Sequence, residues 1–146
     1  MYKGALFVCL LSGCALQPSG IPTGLAGSAW QLEEFQSADD SIGIVTPRQS
    51  SDIELKLGLD GDLAVKLPCN ELSGTWKTGD LDPKSGTLHI SVQASAAAKC
   101  VSEPLAQQVE RNLPFVRSFK LDGDRLYMSL FADGGIYSWK RIQPAN

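Results

Sequence analysis

Apolar and polar residues alternate with a period of two over much of the chain. Ile53, Leu55, Leu57 and Leu59 alternate with Asp52, Glu54, Lys56 and Gly58, and after Asp60-Gly61 the rhythm resumes at Leu63, Val65 and Leu67. Residues two apart share one face of a strand, so this predicts a hairpin turned by a tight Asp-Gly connection of type I′ character. Phe119 and Leu121 lead into Asp122-Gly123-Asp124, and Leu126, Met128 and Leu130 answer them on the return. Ala132-Asp133-Gly134-Gly135 predicts a further turn into a strand over 136–142. Trp30 and Leu32 mark an opening strand; Leu88, Ile90 and Val92 mark another. Alternation of this kind predicts an antiparallel sheet with one buried face.

One stretch breaks the rhythm. Leu105, Val109 and Leu113 recur every four residues with Gln107, Gln108, Glu110 and Arg111 between them, the period of a helix. Ser102 is placed to cap it, Pro104 suits its first turn and Pro114 limits it. The expected fold is therefore α+β: a mainly antiparallel sheet, curved or barrel-like, with one helix packed against an end or face. The repeated Leu-Asp-Gly-Asp, at 59–62 and 121–124, reads as two hairpin turns. A Ca²⁺ loop of EF-hand type needs more oxygen ligands, including a Glu at its twelfth position.

The 146 residues suit a single domain, and an apolar fraction of 43% is enough for a modest core. With 13 basic against 16 acidic side chains the net charge is −3, which argues against a nucleic-acid partner. One His and four Cys leave few parts for metal or His-dependent chemistry, and no cofactor or metal site is expected.

The N-terminus reads as an address. Lys3 precedes the apolar run Gly4 to Leu11, long enough for a signal-peptide core but well short of the roughly 20 residues that span a bilayer. The run ends in Leu11-Ser12-Gly13-Cys14, which resembles a bacterial lipobox. Residues 1–13 are thus expected to be a lipoprotein signal peptide, with Cys14 acylated at the mature N-terminus and 14–24 a lipidated tether. Two or three acyl chains hold firmly where one would be marginal, at roughly 0.8 kcal/mol per buried CH₂. Ala15 after the Cys, by resemblance to Gram-negative lipoprotein sorting, points to the outer membrane facing the periplasm. The membrane, through that anchor, is one expected partner.

Cys9 leaves with the signal and Cys14 takes the lipid, so Cys69 and Cys100 remain. In an exported chain a disulfide between them is the simple reading. Two buried thiols are the alternative. Neither Cys has a second Cys or a His at metal-ligand spacing.

After the first hairpin comes Pro68-Cys69-Asn70-Glu71-Leu72-Ser73-Gly74-Thr75-Trp76, with Cys100 just before the helix. Together with the opening Leu25-Ala26-Gly27-Ser28-Ala29-Trp30, this order resembles the META domain (HslJ-like) family over about residues 25–142. Pro68 stands where the family often has Gly, Trp76 where Tyr is common, and Ala94 to Lys99 where Thr and Met usually precede the second Cys. The resemblance implies an antiparallel β-rich domain with one helix and a link to envelope stress, drug tolerance or virulence. It implies no catalytic reaction.

On their own chemistry, Asn70 and Gly74 suit a bulged or bent strand exit that uses left-handed backbone, pinned by the disulfide to the helix start. A recognition surface of Asn70, Ser73, Gly74 and Trp76 is the other reading. A Ser-His-Asp triad would have to use His89, which alternation places on the polar face. Glu33 and Glu34, adjacent on a strand, are expected to point to opposite faces and not to converge. Trp30, Trp76 and Trp139 read as core. The resulting expectation is a lipid-anchored, non-enzymatic accessory or binding module of the cell envelope with an envelope-protein partner. Two rivals are a lysozyme-inhibitor-like lipoprotein that inserts a loop of Ser73 to Lys77, and a hydrolase of cell-wall material.

Overall fold

Alternating segments become strands wherever one face can be covered, and here they cover one another by closing. The computed structural model describes residues 24–79, 82–93 and 100–143. The expected signal peptide, Cys14 and the tether before Gly24 lie outside the described residues. The chain runs β1 (Ser28–Gln36), β2 (Ile44–Val45), β3 (Glu54–Leu57), β4 (Asp62–Lys66), β5 (Glu71–Thr78), β6 (Ser85–Gln93), α1 (Pro104–Asn112), β7 (Val116–Asp122), β8 (Arg125–Leu130) and β9 (Ile136–Arg141). Successive strands from β3 to β9 pair antiparallel, and β1 pairs with both β3 and β9. The sheet therefore shuts into an eight-stranded barrel, with the two-residue β2 added beside the far half of β1. The expected sheet with a helix is present, and closure makes its buried face the inside of a barrel.

Two local expectations change. β3 stops at Leu57, and Gly58 to Gly61 form a longer connection in which the Gly58 N–H donates to the Asp62 carbonyl at 2.7 Å. Leu59, in phase with the strand by sequence, sits on this loop 79% exposed. The Gly61 carbonyl accepts the Trp76 N–H at 2.9 Å, which ties the loop to β5 and fixes its course. The β7–β8 hairpin does turn tightly, with Asp122 paired to Arg125 and Gly123 at φ +59°, a backbone state that glycine adopts without steric cost. In α1 the cap is Glu103 and not Ser102. Pro104 fills the first helical position and holds the residue before it extended, which moves the cap to Glu103. The Ser102 carbonyl instead accepts the Gln107 side-chain amide at 2.8 Å.

Wall and helix share one core. Leu105, Ala106, Val109 and Leu113 pack with Trp30, Tyr137 and Trp139, all three of the latter at 0% exposure. Each such aromatic contributes about 4–6 kcal/mol of gross burial, an upper figure because unfolded chains are already partly collapsed. Strand directions sort the connections into two ends. The entry end carries Gly24, the β3–β4 and β7–β8 connections and the close of β9. The helix end carries α1, the β4–β5 turn, β2 with its flanking loops and the β8–β9 connection.

Candidate functional site

The Cys-Asn segment is a tight turn. Pro68 and Cys69 connect β4 to β5, with the Leu67 N–H donating to the Asn70 carbonyl at 2.8 Å and the Asn70 N–H donating back to the Leu67 carbonyl at 3.4 Å. Cys69 is bonded to Cys100, with their Cα atoms 5.2 Å apart, so the turn is stapled to the run-up to α1. Asn70 adds a second tie. Its Oδ1 accepts the Glu71 N–H at 2.9 Å and its Nδ2 donates to Glu110 Oε1 on α1 at 3.4 Å. The third tie is at the far end of the helix, where Asn112 Nδ2 donates to the Tyr137 hydroxyl at 3.0 Å. Burial pushes the Tyr137 phenol up to about 12, partly countered by that hydrogen bond.

The remaining motif residues divide. The expected left-handed backbone is absent, because neither Asn70 nor Gly74 has a positive φ. Gly74 is needed for another reason: a Cβ there would meet the Ser91 carbonyl oxygen of β6 at 1.9 Å, so the two strands touch backbone to backbone. Ser73 points outward and is exposed, whereas Trp76, in the opposite phase, packs against the core and donates its indole N–H to the Gly58 carbonyl at 3.2 Å. Ser73 and Trp76 thus lie on opposite sides of the wall and do not form one recognition surface. Ser73 to Lys77 is the middle of β5 and no loop, so it cannot enter a cleft as an inhibitor loop would.

His89 is exposed on β6 opposite Lys77, on the polar face as expected. Glu33 and Glu34 depart from expectation. The β1–β9 register slips between Leu32 and Glu34, and buried Leu32 and Phe35 bracket two half-buried carboxylates on the outer side. The bulge cancels the alternation that would have separated them. Glu33 Oε2 is 3.5 Å from Arg125 Nη2. Trp30 and Trp139 are core, and Arg141 stacks on the Trp30 ring at 4.3 Å beside the chain entry. Burial lowers the Arg141 guanidinium from its usual range. Among the described residues no group of three or more His, Cys, Asp or Glu could hold a metal ion, and no helix is long and apolar enough to cross a membrane.

Sequence reasoning missed the distribution of exposed apolar side chains. Among the described residues seven large ones are exposed, and six of them (Ile42, Ile44, Val101, Phe115, Phe131 and Ile136) lie at the helix end. Leu59 alone of the seven is at the entry end. Ile44 and Ile136 flank Gln36 across three neighbouring strands, and Ser129 continues the row. Beside it is a shallow depression of about 260 Å³ lined by Gln36, Ala38, Ser129, Leu130, Asp133 and Ile136. Ile42 and Ile44 could have been noticed as apolar residues in a stretch of turn chemistry, but nothing local brings Ile136 to them.

Comparison with known proteins agrees with this architecture. A duf4847 family protein from Bacteroides vulgatus has a similar structure, with TM-score 0.61 at 11% identity over 83% of this chain and 96% of that one. A protein from Burkholderia xenovorans solved by NMR also matches, with TM-score 0.61 at 17% identity over 82% of this chain and 84% of that one. At such identities the likeness is one of fold. A search of curated proteins finds no match. The META domain model matches residues 23–141, which takes in every strand of the barrel, the helix and both bonded cysteines, and the chain belongs to the META domain family.

Proposed function

We propose that this protein is a lipid-anchored envelope protein whose META domain serves as a non-enzymatic accessory or binding module, working in envelope stress or drug tolerance. The observation that carries the reading is the separation of the two ends. The chain enters at one end, with Gly24 accepting a bond from Arg141 Nη2 at 3.5 Å, and the exposed apolar side chains gather at the other. An anchor at Cys14 would hold the entry end toward the lipid and present the helix end to the periplasm. The barrel interior is occupied by large side chains, so binding falls to the outer surface. His89 and the Glu33–Glu34 pair stand apart on the outer wall, which supports a role without turnover.

Fractionation tests the anchor: the wild-type chain is expected in the outer-membrane fraction with the added mass of acyl chains, and Cys14→Ser in the soluble periplasmic or unprocessed form. Unchanged membrane attachment of Cys14→Ser would overturn it. Release of soluble fragments from peptidoglycan by the purified full chain, lost in His89→Ala, would overturn the non-enzymatic role.

A further inference from the structure

We infer that the depression where the β3–β4 loop lies on β5 and β6 binds a phosphodiester that carries a primary ammonium, the chemistry of a phosphoethanolamine headgroup. The depression is about 350 Å³ and is lined by Asp60 and Gly61 of the loop and by Thr75, Lys77, His89 and Ser91 of the two strands. This goes beyond the binding-module reading above, because it names a second surface and does not depend on the anchor.

Register builds the site. Thr75 pairs with Ser91 and Lys77 with His89, while Trp76 and Ile90 between them pack against the core. Directly opposed side chains stand about 4.5–5.5 Å apart at Cβ, and same-face neighbours along a strand about 7 Å apart, so four donors share one small patch of wall. Two hydroxyls, an ammonium and an imidazole N–H suit an anion with several oxygens. Gly61 brings Asp60 beside them. Its missing side chain lets the loop lie flat on β5, where a Cβ would stand 3.3 Å from the Trp76 carbonyl oxygen. A carboxylate next to these donors repels a plain anion and accepts an ammonium. The ligand that satisfies both is a zwitterion, with phosphate oxygens on Lys77, His89, Thr75 and Ser91 and its ammonium on Asp60. Among the described residues none of these five side chains is held by a hydrogen bond or ion pair of its own, so only water has to leave.

Leu59 bears on the source of such a headgroup. It is 79% exposed, next to Asp60 on the same loop. β3 ends at Leu57, whose carbonyl accepts the Gly27 N–H at 2.7 Å, so the loop is a neighbour of the chain entry. An exposed leucine beside a headgroup site suits the acyl chain of a lipid. A free phosphoethanolamine ester would present the same polar atoms and leave Leu59 in water.

The test follows the Lys77 and Ser91 amides by NMR, using the full-length chain in maltoside micelles, which carry no phosphate. Glycerophosphoethanolamine is expected to shift both amides and to bind at least about tenfold more tightly than two other esters. Glycerophosphocholine has a quaternary nitrogen with no N–H for Asp60, and glycerophosphoglycerol has no ammonium. Lys77→Gln with His89→Gln should weaken the ethanolamine ester about tenfold, and Asp60→Asn should reduce it to the level of the other two. All three side chains are exposed, so the melting temperature should hold. Equal binding of the three esters, no shift with any, or ethanolamine-ester binding untouched by these variants would each overturn the inference. Nanodiscs of phosphatidylcholine with and without phosphatidylethanolamine separate the sources. Shifts on adding that lipid, abolished by Leu59→Ser, uphold the site with a bilayer headgroup in it; shifts with the soluble ester alone uphold it for a free ester. Failure here leaves the anchored binding module standing, because that reading is judged by fractionation and turnover.

Discussion

Gly74 shows how one residue can be legible as important yet misread as to cause. The demand for glycine there comes from a neighbour distant in sequence, the Ser91 carbonyl, and not from its own dihedral angles. Gly74→Ala would have to push β5 and β6 apart against backbone and should cost about 2–4 kcal/mol, whereas Ser73→Ala, exposed next door, should stay within about 0.5 kcal/mol. Urea unfolding of the two variants measures the contrast, and equal stabilities would remove the close-approach argument. The phase of Ser73 and Trp76 was available in the sequence, since residues an odd number apart face opposite ways in a strand. A bent exit would break that phase; the regular strand Glu71–Thr78 keeps it. Tyr137 offers a titration. Its folded pKa of about 12 stands above the ordinary 10, so as pH rises from 10 the unfolded chain sheds the proton first. The stability contribution is complete below about pH 10 and is lost as pH climbs to about 12, on the order of 2–3 kcal/mol. Tyr137→Phe should lose about 1 kcal/mol at neutral pH, from the Asn112 bond, and show a flatter decline in the alkaline window. Paired urea titrations across that window read the difference; parallel curves would show the phenol is not desolvated.

At the level of elements, what local chemistry dictates was readable and what distant contact dictates was not. The β7–β8 hairpin follows from Asp122-Gly123 between two alternating runs, and α1 from the spacing of Leu105, Val109 and Leu113. The β3–β4 connection departs from the tight turn its sequence predicts because Leu59 continues the apolar rhythm, while the loop's course depends on the bond from Trp76. The helix is held at three points, the Cys69–Cys100 bond, Asn70 with Glu110, and Asn112 with Tyr137. The disulfide spans 31 residues, for which the loss of chain entropy in the unfolded state corresponds to about 3.5–4 kcal/mol. Reduction, or Cys69→Ala with Cys100→Ala, should lower stability by up to about that amount and expose the apolar face of α1 first. Urea midpoints with and without reductant, together with hydrogen exchange at Val109 and Leu113, test this; helix amides no less protected after reduction would assign the stabilisation elsewhere.

For the whole molecule, the sequence predicted the class and left closure open. No local signal announces that Trp30 will pair with Arg141, because each strand looks the same whether its sheet is open or shut. The helix-end surface was hidden for the same reason: Ile44 and Ile136 are 92 positions apart in the numbering and become neighbours only through Gln36. The META family match reaches the same residues by comparison that the topology reaches by pairing.

Closure also sets an order of events. The first strand made is partnered by the last, so through most of its emergence β1 has an unsatisfied flank and the domain cannot latch until Ile136–Arg141 is free to dock. A chain built this way stays open along that flank while it is being made. It becomes a finished object only when its tail arrives.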